Sequence, residues 1–189
     1  MNIFFKTLER LEKIGFYRFS AEGFANIPAG KPIVYVSNHS GWIAADALIF
    51  LFLLTRQFPK MSMPAVIAHE ALFRLPLFNR LLPLVNAVSS TDFRKIIHGP
   101  AKKSGIDSIL IFPEGEHGNC KPFWNAYKMR NWKSGFLRFA FRQNALLIPI
   151  SIVGAEEAFP GLRPLNLINT PLRSIAPFPF GIFPAHISI

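Results

Sequence analysis

Ile33 to Asp46 reads IVYVSNHSGWIAAD, an apolar, β-branched run that breaks into a polar turn holding a histidine and, seven residues on, a carboxylate. The Ile-Val-Tyr-Val run has the composition of a buried strand, and the carboxyl end of such a strand is where α/β proteins place their ligands. Asp46 lies in the otherwise apolar segment Ile43 to Leu54, where an ionised group is costly unless paired or hydrogen-bonded. Its nearest candidate partner is His39. On one continuous helix a seven-residue separation puts the two about 10 Å apart along the axis. The pairing therefore requires His39 to Trp42 to be a loop, turned at Gly41, with a helix starting near Ile43. In the other reading Asn38 or Ser40 caps that helix and Asp46 faces water.

A second stretch, Ser108 to Gly118, SILIFPEGEHG, repeats the pattern: a short apolar strand breaks at a proline into Glu, Gly, Glu, His and Gly. Two such strand ends could line one site. Here the chain resembles the glycerolipid acyltransferases, in four blocks that occur in order: VSNHSGWIAADAL, LFNRLLPLVNAVSSTDFRK, IFPEGEHG and LLIPISIVGAEEAFP. The blocks lie within 33–160. The NHSG and FPEG blocks are specific in combination, the fourth is intermediate and the second is weak. Two departures stand out. The family's usual spacing is His, four residues, Asp, whereas six residues separate His39 from Asp46, and where an arginine usually follows the FPEG glycine by two positions this chain has His117.

The resemblance implies acyl transfer from a thioester of coenzyme A or acyl carrier protein to the hydroxyl of a lysophospholipid or glycerol phosphate, with no further cofactor. His39 and Asp46 would be the catalytic pair, His39 taking the hydroxyl proton and Asp46 fixing its tautomer. Backbone N–H groups around Gly41 would hold the oxyanion. Glu114 and Gly115 would bind the acceptor, and Arg94 is the nearest candidate for the acceptor's phosphate, although it lies later than the pattern expects. A solvated surface arginine is an equal reading for it.

At 189 residues the chain is long enough for one domain, 1–189. Apolar strands alternating with helical segments make it α/β, with a mostly parallel or mixed central sheet flanked by helices. Lysine and arginine number 21 against 11 acids, a net charge of +10 that calls for an anionic partner. No nucleic-acid-binding motif is present and the basic residues are dispersed, so nucleic acid is not the partner expected. The 20 phenylalanines exceed what a core of this size usually holds, which points to leftover apolar surface and an anionic membrane. The apolar run Ile43 to Leu54 covers 12 residues against the roughly 20 that span a bilayer. The expectation is peripheral or monotopic association with the cytoplasmic face. A non-catalytic basic lipid-binding protein is the rival reading, and the presence of both His39 and Glu114 argues against it.

Residues 1–15 read as an amphipathic helix, with Ile3, Phe4, Leu8, Leu11 and Ile14 on one face, which lies in a headgroup layer or packs on the domain's own core. Charges interrupt its apolar positions, against a signal peptide. Further strands are expected at Tyr17 to Glu22, Ala65 to Ala68, Leu146 to Val153 and in the final FPAHISI, with Pro149 marking an edge or a bulge. Helices are expected over Ile43 to Thr55, within Asn86 to Lys103 until Gly99 and Pro100 break it, and over Phe136 to Arg142. Pro76 and Pro83 forbid one unbroken helix over Leu72 to Leu84. From Lys121 to Lys133 basic and aromatic residues interleave, as an anionic interface favours. The single cysteine, Cys120, reads as structural or incidental, and the five scattered histidines suggest no metal site.

Overall fold

The computed structural model describes residues 3–28, 30–40, 45–99, 105–119, 122–129, 131–158 and 184–189. In chain order its helices and strands are α1 (Ile3–Lys13), β1 (Tyr17–Ser20), β2 (Ile33–Ser37), α2 (Ala45–Gln57), β3 (Ala65–Ala68), α3 (Glu70–Phe73), α4 (Pro76–Leu81), β4 (Ala87–Ser89), α5 (Ser90–His98), β5 (Ser108–Ile111), α6 (Glu116–Asn119), α7 (Gly135–Gln143), β6 (Leu146–Ile150), α8 (Ala155–Ala158) and β7 (Ala185–Ser188). Five strands form a sheet in the order β4-β3-β5-β2-β6, and β1 pairs with β7 in a separate ribbon. Every pairing between these strands is parallel.

The alternation of side chains along the central strands divides the core in two. Ile33 and Tyr35 of β2 and Leu110 of β5 join the cluster built on α1, α2 and the ribbon. Val34 and Val36 of β2 and Ile109 and Ile111 of β5 join the other, with Phe93 and Ile97 of α5 and Phe136 and Phe139 of α7. The result is a three-layer α/β/α sandwich. Helix α2 is apolar almost all round, as a helix between other layers must be, and Ile49 to Leu51 are fully buried. Tyr17 and Tyr35, 1% exposed, have their phenols pushed up to about 12 by burial.

Helix α1 settles one open alternative. Phe5 is buried against Phe52, and Phe4, Leu8 and Leu11 pack beside it, so the apolar face covers the protein's own core. Ile3 and Ile14 remain exposed. Pro149 sits in β6, at the sheet edge, where a missing N–H leaves no rung open on the outer side. Strand β6 ends at Ile150, short of the expected Val153, because the peptide of Ile152 is taken by a side chain instead of a strand. Strand β1 likewise stops at Ser20, before the expected Glu22. Leu72 to Leu84 is broken as the prolines require, with Pro76 opening α4 and Pro83 inside a 3₁₀ turn over Leu82–Val85. The expected turn at Gly41 to Trp42, Lys102, Lys103, Cys120, Lys121 and Phe159 onward to 183 lie outside the described residues.

The connections position the site. From β2 the chain crosses through α2 to β3 on one side, whereas from β5 it crosses through α7 to β6 on the other. Because β2 and β5 are neighbours whose connections leave in opposite directions, a crevice opens above their carboxyl ends. His39 follows β2, and Glu114 follows β5.

Candidate active site

His39 and Asp46 meet in that crevice. Asp46 Oδ2 lies 2.6 Å from His39 Nδ1. Residues 38–40 are not helical and the described helix begins at Ala45, so Asp46 lies in its first turn. The carboxylate is fully buried yet well supplied with donors. Oδ2 also accepts the Ser40 backbone N–H at 2.8 Å, and Oδ1 accepts that of Ala47 at 2.8 Å. With Nδ1 donating to a carboxylate, Nε2 is the nitrogen left to accept a proton. The His39 side chain is 10% exposed.

Three further groups fix the imidazole. Phe112 stacks on it, ring centroids 4.2 Å apart and planes 20° from parallel. Glu114, fully buried, accepts the His39 backbone N–H through Oε1 at 3.1 Å. Asn38 joins the loop to the end of β6, its Nδ2 donating to Ile152 O at 2.9 Å and its Oδ1 accepting from Ile152 N at 2.8 Å. This two-point bond continues the sheet's ladder with a side chain in place of a strand. The turn after FPEG also presses close. A Cβ at Gly118 would lie 2.7 Å from Glu114 Cβ and 2.8 Å from His39 Cβ, so only glycine lets α6 approach the histidine.

Of the residues singled out from the sequence, the structure thus gathers His39, Asp46, Glu114 and Gly115 at one strand-end crevice. Glu114 is turned inward onto the His39 peptide. Arg94 is elsewhere. It lies on α5, after β4, three strand positions from β2, and its guanidinium folds back to Ser90 O at 3.3 Å and Thr91 Oγ1 at 3.5 Å. Phe112 and Gly118 have no role in the sequence reading and Asn38 only that of a possible helix cap, although each lies inside a quoted block. Only their contacts across the sheet reveal what they do.

A family model described as Acyltransferase matches residues 18–153, nearly three quarters of the chain. The chain belongs to the acyltransferase family. Relatives of this acyltransferase chain include uncharacterized proteins of Mycobacterium tuberculosis and Mycobacterium bovis, each 27% identical over 155 residues, and one of Mycobacterium leprae, 26% identical over 160. The alignments cover 80% of this chain but only 41–42% of those relatives, so the chain spans less than half their length. Among solved structures it is similar to the 1-acyl-sn-glycerophosphate (LPA) acyltransferase PlsC of Thermotoga maritima, with a TM-score of 0.60 and 20% identity over 98% of this chain and 65% of that one. That likeness is one of fold. Within the family's matched region fall His39, Asp46 and Glu114.

Proposed function

We propose that this acyltransferase moves a fatty acyl group from an acyl thioester, carried on coenzyme A or acyl carrier protein, to the hydroxyl of a lysophospholipid or glycerol phosphate. The observation that carries the reading is the buried His39–Asp46 hydrogen bond at the crevice of a family-matched sheet. His39 Nε2 takes the acceptor's hydroxyl proton as the oxygen attacks the thioester carbonyl. The tetrahedral intermediate then collapses, the C–S bond breaks, and the departing thiolate takes the proton from the imidazolium. Asp46 holds the tautomer throughout and stabilises the imidazolium. No covalent acyl-enzyme is required. Glu114 serves acceptor binding in this scheme by keeping the His39 loop in register with the FPEG turn, and Gly115 leaves the turn's outer side open to the acceptor. Arg94 would reach an acceptor phosphate only by leaving its own helix.

Membrane association belongs to the same proposal, on the cytoplasmic face and through an anionic surface. Trp124, Met129 and Trp132 are 61%, 69% and 44% exposed, and Lys128 and Lys133 lie among them, an arrangement suited to headgroups. Among the described residues no helix is long and apolar enough to cross a membrane.

The test is thiol release from palmitoyl-CoA in the presence of a lysophospholipid panel, with mass spectrometry of the lipid. Acceptor-dependent thiol release with formation of the diacyl product is expected. Release independent of acceptor would make the protein a thioesterase instead. In parallel, the protein should sediment with anionic vesicles at low salt and partly detach at high salt. Binding indifferent to lipid charge would remove the electrostatic part.

A further inference from the structure

We propose that Lys133 is the cation that receives the substrate's phosphate at the FPEG turn, an inference that rests on the acyl-transfer reading. Lys133 is far from that turn in sequence but docked on it in space, its backbone N–H donating to Pro113 O at 3.1 Å. The residue before it is pinned as well, Trp132 packing edge-on against Phe136 with centroids 6.2 Å apart. The Lys133 side chain then extends over Gly115. A Cβ built on Gly115 would meet Lys133 Nζ at 3.8 Å. Gly115 has a φ of +59°, so the glycine makes the turn and lets the ammonium lie close over it.

This places an exposed positive charge beside Gly115, next in sequence to the carboxylate that holds the His39 peptide. Other cations are occupied differently. Lys95 pairs with Asp92 at 2.8 Å, Arg56 with Glu12 at 2.8 Å and Lys13 with Glu9 at 2.9 Å, and Arg94 turns back on its own helix. The ion pairs among the described residues do not include Lys133. A lysine with its ammonium over an open glycine is a point charge suited to a phosphate. Both candidate substrates carry one, the acceptor on its glycerol and the donor on its carrier.

The experiment compares wild type, Lys133→Met, Lys133→Arg and Arg94→Ala, varying lysophosphatidate and palmitoyl-CoA separately. Lys133→Met should raise KM about tenfold for one phosphate-bearing substrate with kcat nearly unchanged, and Lys133→Arg should restore most of it. A rise for lysophosphatidate assigns the acceptor's phosphate. A rise for palmitoyl-CoA, absent with the acyl thioester of N-acetylcysteamine, assigns the donor's. Unchanged KM for both substrates in Lys133→Met, or a rise in Arg94→Ala alone, overturns the proposal. Binding separates this from failure of the acyl-transfer reading. Glycerol 3-phosphate and coenzyme A are titrated against tryptophan fluorescence, for which Trp132 is a neighbouring reporter. If wild type makes no product with any acceptor, about tenfold weaker binding of one of them to Lys133→Met still supports the phosphate site, and equal binding of both overturns it.

Discussion

Two carboxyl ends of the same parallel sheet carry a histidine followed by a carboxylate, and only one of them builds a buried pair. After β2 stand His39 and Asp46; after β3 stand His69 and Glu70. His69 is exposed and its Nδ1 accepts the Ala71 N–H at 3.2 Å, capping α3. His39 instead lies under Phe112, bonded to a carboxylate with no exposed surface. The residue types are nearly the same. The difference is topological: β2 and β5 diverge and leave a crevice, whereas β3 and β4 are consecutive neighbours joined by short helices. Around His39, Asn38, Glu114 and Gly118 tie three strand ends together, whereas the His69 ring caps its own short helix.

The largest effect that would break this contrast is expected from Asp46→Asn. An amide keeps the volume but can hold the wrong imidazole tautomer, so kcat should fall by about three orders of magnitude while circular dichroism stays native. A loss under tenfold would make Asp46 a structural acceptor only. Next comes Gly118→Ala. The new methyl must displace Glu114 or His39 at Cβ, so activity should drop at least about tenfold and stability by about 1–3 kcal/mol in urea unfolding. A fully active, fully stable variant would show that α6 is free to move away. At the other strand end, His69→Ala should cost about 0.5–2 kcal/mol through the lost cap and leave kcat/KM within about twofold. Strong loss of activity there would erase the distinction between the two ends.

Much of the site is legible in the sequence. The ends of β2 and β5 are marked, because apolar β-branched runs that stop in Asn-His or Pro-Glu-Gly are local signals. The His39–Asp46 contact followed from the cost of burying Asp46 among leucines and phenylalanines. What stayed hidden were the contacts made across neighbouring strands. The resemblance makes Glu114 an acceptor ligand, and only with β5 beside β2 is its carboxylate also found on the His39 peptide. Arg94 is a phosphate candidate through the resemblance alone, and β4, which precedes its helix, lies at the far edge of the sheet. Lys133 reads in the sequence only as part of the basic and aromatic run Lys121 to Lys133, since its place over Gly115 depends on how residues 131–134 return to the turn. The β1–β7 ribbon joins segments 168 residues apart in sequence, Tyr17 with Ala185, a pairing no local pattern encodes.

The smallest effect concerns the three tyrosines, which lie outside the reacting groups. Tyr17, Tyr35 and Tyr127 are all raised from 10.0 to about 12, chiefly by burial, with hydrogen bonding to Glu157 adding to the rise at Tyr127. A raised phenol contributes stability that is complete below its unfolded value near 10 and is lost as pH climbs through about 12. Phenolate absorbance from the buried Tyr17 and Tyr35 should therefore stay low at alkaline pH until the fold gives way, whereas Tyr127, 54% exposed, already meets water. Ionisation of Tyr17 or Tyr35 near pH 10 in the native protein would place those side chains in water.

The most direct test of the central claim, that the buried dyad at the β2–β5 crevice performs acyl transfer, is His39→Ala assayed beside wild type for diacyl product from palmitoyl-CoA and lysophosphatidate. Loss of about two to four orders of magnitude in turnover, with vesicle binding retained, is the predicted result. Turnover by His39→Ala within a few-fold of wild type would contradict it.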